Sequence, residues 1–168
     1  MQIEPTRLSD VLILTPQRFG DARGWFTETW NASKMTAAGL GLAFVQDNHS
    51  FSATAGTLRG LHYQSPPRAQ DKLVRCSRGA IFDVAVDIRP GSVTFGKWVG
   101  VELSEENHRQ VWIPAGLAHG FLVTSASANE GKTTVSCQLA ASLARTGKRV
   151  ALVDCDFRRP TAHTMVDG

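Results

Sequence analysis

Short runs of β-branched, aromatic and aliphatic residues recur along residues 1–124, each closed by a turn signal, and they predict strands. The predicted strands are Val11–Leu14, Gly24–Trp30, Phe44–Ser50, Thr57–Tyr63, Lys72–Cys76, Ala80–Ile88, Lys97–Leu103, Arg109–Ile113 and Gly120–Thr124. Asp21-Ala22-Arg23-Gly24, Ser65-Pro66-Pro67, Ser77-Arg78-Gly79 and Arg89-Pro90-Gly91-Ser92 punctuate them. The run Ile81–Ile88 alternates, with Phe82, Val84, Val86 and Ile88 on one face and Asp83 and Asp87 on the other. One short helix is predicted from Ala32 to about Ala38, capped by Asn31. Many short strands at this spacing predict a mainly β fold, a sandwich or a jelly-roll barrel.

After Thr124 the texture changes. A small polar stretch, Ser125-Ala126-Ser127-Ala128-Asn129, leads to a predicted helix over Lys132–Arg145. Val135, Leu139 and Leu143 stand at helical spacing in it, and Gly147 is its C-cap. Val150-Ala151-Leu152-Val153 follows as a continuous apolar strand of the parallel-sheet kind. This β-α-β pattern belongs to a different fold class from what precedes it. The chain therefore divides into residues 1–124 and residues 125–168, and Phe121–Thr124 suits either texture.

Composition narrows the picture. With 168 residues, 42% hydrophobic and 20% charged, the chain is neither disordered nor fibrous. No apolar run is long enough to span a membrane, and Met1–Pro5 lacks the basic and apolar regions of a signal peptide. Cys76, Cys137 and Cys155, odd in number and widely spaced, predict a reduced cytoplasmic setting. The net charge of +3 is evenly spread with no basic stripe, so no nucleic-acid partner is expected. The one tyrosine, Tyr63, confines any phenol chemistry to that position.

Candidate chemistry sits where half-buried strands could have done without polar groups. Arg59-Gly60-Leu61-His62-Tyr63 sets a guanidinium and an imidazole three residues apart. Gly60 between them marks a bulge that would let both side chains reach one cavity. Gln46 and Asn48 share a predicted strand face, Lys72 opens the next strand, and His119 follows the turn Pro114-Ala115-Gly116. Taken singly, each has an ordinary reading: a hydrogen-bonded strand histidine, a solvated lysine, a plain turn.

Together they resemble the dTDP-4-dehydrorhamnose 3,5-epimerases, a cupin-type jelly-roll family. The resemblance rests on five stretches in order, Phe19–Phe26, Phe44–Ser50, Leu58–Gln64, Val84–Arg89 and Ile113–Phe121. It implies a mainly β, cupin-type double-stranded β-helix (jelly roll). The implied substrate is a dTDP-linked 4-keto-6-deoxy sugar, whose C3 and C5 protons the C4 ketone acidifies. His62 would be the base and Lys72 the cation at the enolate oxygen. Arg23 and Arg59 would hold the diphosphate. Glu28, Gln46, Asp47 and Asn48 would line the nucleotide and sugar pocket, His119 would contact the substrate, and Phe19 or Phe26 would stack on thymine. A homodimer with strand exchange is also implied.

The resemblance further implies what is missing. The first cupin metal motif reads His62-Tyr63-Gln64, leaving only His62 and His119 as ligands, so no metal and no cofactor are expected in the barrel. The family's proton-donor tyrosine and the aspartate that orients its catalytic histidine lie in a region this chain replaces after about Thr124. Tyr63 does not match that donor. Activity is therefore expected to be impaired.

The tail carries its own motif. Ala126–Thr134 has Walker A spacing with alanine at the first glycine position. Gly131 and the loop backbone would face phosphate, Lys132 would neutralise it, and Thr133 and Thr134 would complete the site with Mg²⁺. Val150–Pro160 resembles the second acidic motif of bacterial tyrosine autokinases, implying that Asp154 and Asp156 support Mg²⁺ and hence a MgATP site. The remaining strands of such a sheet are absent, and a lone β-α-β piece exposes both sheet edges. The chain reads as an in-frame fusion of an epimerase domain and a P-loop fragment. An ATP-binding fragment and a non-catalytic fusion remnant are the alternatives to an epimerase.

Overall fold

The computed structural model describes residues 1–41 and 43–124. The predicted helix Lys132–Arg145, the strand Val150–Val153 and the residues Gly131, Lys132, Thr133, Thr134, Asp154 and Asp156 lie outside the described residues.

The described chain runs β1 (Gln2–Pro5), β2 (Leu12–Thr15), β3 (Arg18–Asp21), β4 (Gly24–Thr27), α1 (Ala32–Ala37), β5 (Leu58–His62), β6 (Lys72–Arg75), β7 (Ala80–Asp87), β8 (Trp98–Ser104), β9 (Gln110–Ile113) and β10 (Leu117–Thr124). Two four-stranded sheets, ordered β1-β2-β9-β6 and β5-β10-β7-β8, pair antiparallel throughout. β3 and β4 form a separate hairpin around the predicted turn at Asp21–Gly24. The core draws on both sheets, with Val111 and Ile113 on one and Ile81, Ala85, Val99, Val101, Leu103 and Leu117 on the other. This is the jelly roll the strand pattern predicts.

Most predicted strands form within a residue or two of their expected bounds. The strand expected over Gly24–Trp30 stops at Thr27, and β1 and β3 were not anticipated. The helix forms as expected. The Asn31 side chain accepts from Lys34 N at 3.1 Å, and Met35 is buried beneath the helix.

One expected strand is absent. Residues 43–50 form no regular element, with Val45 almost fully exposed. A strand needs a partner for its backbone groups, and none of the described strands pairs with this segment. Gln46 and Asn48 therefore share no sheet face, although Gln46 Nε2 donates to Asn48 Oδ1 at 3.1 Å.

β7 alternates as the pattern requires, but its buried face is the one bearing the carboxylates. Ile81, Asp83, Ala85 and Asp87 point inward, while Phe82, Val84 and Val86 are half-buried on the outer face. Buried carboxylates need partners. Asp87, with no exposed surface, accepts from Arg89 through Nε at 3.0 Å and NH2 at 2.8 Å, from Ser92 Oγ at 2.6 Å and from Thr94 Oγ1 at 2.6 Å. Arg89 extends the cluster to Asp10 at 2.9 Å. These bonds hold the Asp87 carboxyl far below the usual carboxylate range, the Arg89 guanidinium foremost among them. Asp83 has the one partner described next.

Candidate active site

Two histidines meet because β5 carries one residue more than the strand beside it. In regular strands, residues three apart face opposite ways. His62 stands opposite His119, and Arg59 opposite Phe121, so Gly60 and Leu61 together oppose Gly120. That bulge turns Arg59 and His62 to the same face of the sheet, as the glycine between them suggests. His119 lies opposite Ala85 on the buried face of β7, so this face looks into the barrel.

Glycine is required at the bulge. Gly60 has φ +118°, and a Cβ there would lie 2.6 Å from Gly120 Cα and 2.9 Å from His119 O. Both obstacles are backbone, which cannot rotate away. Gly60→Ala is expected to destabilise the protein by about 1–3 kcal/mol through the clash. It should also move Arg59 relative to His62. A melting temperature equal to that of the parent would contradict this account of the bulge.

His119 is buried, and its Nε2 lies 2.7 Å from Asp83 Oδ2, whose side chain is also buried. Burial pushes the Asp83 carboxyl up from its ordinary value, while the His119 hydrogen bond pulls it back. His62 is exposed at the end of β5, open to a ligand. Lys72 opens β6 on the facing sheet, and its Nζ donates to Gln64 Oε1 at 2.9 Å, two residues beyond His62. Partial burial lowers the Lys72 ammonium's pKa, and the neighbouring Asp71 charge opposes that. Asp71 also accepts from Ala115 N at 2.7 Å, fastening the turn that leads to His119.

The site residues fall into two groups. Arg59 and His62 on β5, and His119 on β10, share one sheet face; Lys72 stands on the opposing sheet, tied back through Gln64. Arg59 also donates to Ser52 Oγ at 3.1 Å and to the Phe51 carbonyl at 3.2 Å. The second group makes its contacts elsewhere. Arg23 sits on the β3–β4 hairpin and pairs with Asp21 at 2.6 Å. Phe19 and Phe26 are exposed on that hairpin, and Glu28 beyond it binds Lys34 Nζ at 2.7 Å. Gln46, Asp47 and Asn48 lie on the exposed coil. No hydrogen bond or ion pair joins this second group to His62, Lys72 or His119 among the described residues.

Asp83 and Gln64 carry no candidate role by sequence pattern, yet each contacts a candidate residue. The signal for Asp83 was available: a carboxylate in the middle of an apolar strand must be paired, whichever face is buried. Gln64 gave none, since its contact crosses between the sheets. No group of three or more His, Cys, Asp or Glu stands close enough to share an ion among the described residues.

Comparison with known proteins agrees with this geometry. Residues 5–138 match the dTDP-4-dehydrorhamnose 3,5-epimerase family model. The dTDP-4-dehydrorhamnose 3,5-epimerase of Escherichia coli (strain K12) is 60% identical over 126 residues, which cover 74% of this chain and 68% of that protein. The Pseudomonas aeruginosa enzyme of the same name is 57% identical, covering 73% and 68%. Among solved structures, the Bacillus anthracis epimerase with TDP and PPi bound superposes with a TM-score of 0.72 at 48% identity, covering 74% of this chain and 71% of that one. A Legionella pneumophila dTDP-6-deoxy-D-glucose-3,5-epimerase in complex with dTDP-4-keto-L-rhamnose gives a TM-score of 0.70 at 54% identity, covering 74% and 66%. Residues 121–168 separately match the CobQ/CobB/MinD/ParA nucleotide binding domain, overlapping the first match over 121–138. With its barrel, its histidine-bearing bulge and its matched sequence in accord, the chain belongs to the dTDP-4-dehydrorhamnose 3,5-epimerase family.

Proposed function

We propose that residues 1–124 form a domain that epimerises C3 and C5 of dTDP-4-keto-6-deoxyglucose, in dTDP-L-rhamnose and surface-polysaccharide biosynthesis. The observation that carries this reading is the bulge, which sets an exposed imidazole and a guanidinium on one face beside a buried histidine. His62 takes the proton from carbon, since an imidazole titrates near working pH. The C–H electron pair enters the carbon–carbon double bond of an enolate, and the charge moves to the C4 oxygen. Lys72 stabilises that oxygen. A proton returned to the opposite face completes each inversion. Arg59 holds the diphosphate and His119 the sugar. No metal or cofactor takes part.

Arg23, Phe26 and Glu28, with Phe19, complete the site of a second copy in a homodimer. The exposure of Phe19, Trp25 and Phe26 on one small hairpin supports this, because three largely exposed aromatic rings together favour a cover. Gln46, Asp47 and Asn48 line the nucleotide pocket once a ligand orders the coil around it.

The acid is the weak point. Tyr63 is exposed and directly follows the base, just past the end of β5, so turnover falls short by the ~10²–10⁴-fold that a positioned acid contributes. The test is incorporation of solvent deuterium at C3 and C5, followed by NMR. The absence of exchange above a buffer blank would refute the activity.

A second reading concerns residues 125–168, which we take as a partial P-loop unit holding MgATP through Lys132, Thr133 and Asp154. The match to a nucleotide-binding domain supports it. Its test is MgATP affinity of the parent against Lys132→Ala. Equal, weak binding by both would exclude it.

A further inference from the structure

The pair formed by His119 and Asp83 has a direction. Nε2 of His119 is taken by the carboxylate at 2.7 Å. Nδ1 makes no hydrogen bond among the described residues and is not sealed from solvent. Both side chains are buried, and their bond crosses neighbouring strands of one sheet.

We propose that Asp83 is a positioning residue: its carboxylate fixes the proton of the neutral His119 ring on Nε2, so that Nδ1 is left to meet the bound dTDP-sugar. An ionised carboxylate only accepts hydrogen bonds, so the ring nitrogen facing it must donate. This selects one of the two neutral tautomers. It also fixes the ring plane, because rotation about χ2 would strand a buried carboxylate, at a high desolvation cost. The charged and titratable groups on the same sheet face are His62 and Arg59 on β5 and Asp87 on β7. The β8 residues facing it, Val99, Val101 and Leu103, are apolar. None of those charged groups hydrogen-bonds the Asp83 side chain among the described residues, so the tautomer of His119 depends on this one contact.

The proposal rests on the epimerase reading, and its test separates the two. Long-range ¹H–¹⁵N correlation spectra of the full chain report which ring nitrogen of His119 carries the proton, with His119→Asn giving the assignment. In the parent, Nε2 should be protonated, and the Nδ1 signal should shift when dTDP-glucose is added. In Asp83→Asn, whose amide can donate or accept, the single tautomer should be lost. Affinity for dTDP-glucose or solvent exchange at C3 and C5 should fall about ten- to hundredfold, the loss expected for one hydrogen bond to a charged group. A change in melting temperature alone, with binding and exchange within twofold of the parent, would overturn the proposal, as would a bare Nε2 in the parent. Should Asp83→Asn not fold, the parent decides: an Nδ1 signal unmoved by saturating dTDP-glucose overturns it, and a protonated Nε2 with a moved Nδ1 signal upholds it. Should the parent neither bind dTDP nor exchange, the epimerase reading falls. The tautomer then decides the rest, loss in Asp83→Asn upholding the role of Asp83 and retention ending it.

Discussion

Replacing His62 by alanine is expected to lower solvent exchange at C3 and C5 of the keto sugar by about 10²–10⁴-fold, the contribution of one positioned base. The fold should not suffer. His62 is exposed at the end of an edge strand and is absent from the core. The change in rate therefore comes without a change in melting temperature, unlike that of Gly60→Ala, which shifts the backbone beneath the same side chain. Affinity for dTDP should stay near the parent value, because Arg59 and the rest of the site still engage the diphosphate. Exchange by His62→Ala within threefold of the parent would remove His62 from the role of base.

The second large effect is on stability. Asp87→Ala is expected to destabilise the protein by about 3 kcal/mol, the lower end of the range for breaking a buried ion pair. The loss sits at the low end for two reasons. The Arg89 side chain keeps 35% of its surface in water, and it retains Asp10 as a partner. Ser92 Oγ and Thr94 Oγ1 each lose an acceptor, which also frees the turn between β7 and β8. The pH dependence has a definite sign. The folded carboxyl lies well below its ordinary value of 3.8, so its contribution is fully present above that value and drains away as pH falls through and below it. Denaturant titrations should show a constant gap between parent and variant from about pH 8 to about pH 5, narrowing in stronger acid. A gap that widens on acidification would contradict the assignment.

These two residues show how unevenly the site was legible. His62, Arg59 and the bulge between them are local in sequence, and a glycine between two polar residues in a strand already announced their convergence. His119 likewise stood after a turn. Asp83 was visible as one carboxylate in the alternation of β7, yet alternation alone does not say which face is buried. An apolar face carrying Phe82, Val84 and Val86 looks like the inside. The barrel instead buries the face with Asp83 and Asp87, since each carboxylate finds donors there. The stretch 43–50 has the composition of a strand and none of its structure, because strand formation depends on a neighbour that local sequence does not supply.

The primary structure by itself determined the strand-rich pattern of residues 1–124, the capped helix at Asn31, the change of texture after Thr124 and the residues able to carry proton transfer. Each follows from short-range preference: alternation, turn residues and side-chain pKa. Only the tertiary structure decided which face of β7 is buried, that His119 is held by Asp83 and that Lys72 is tied to Gln64. The first two depend on pairing between segments far apart in the chain, where register and the need to satisfy buried polar groups outweigh local preference.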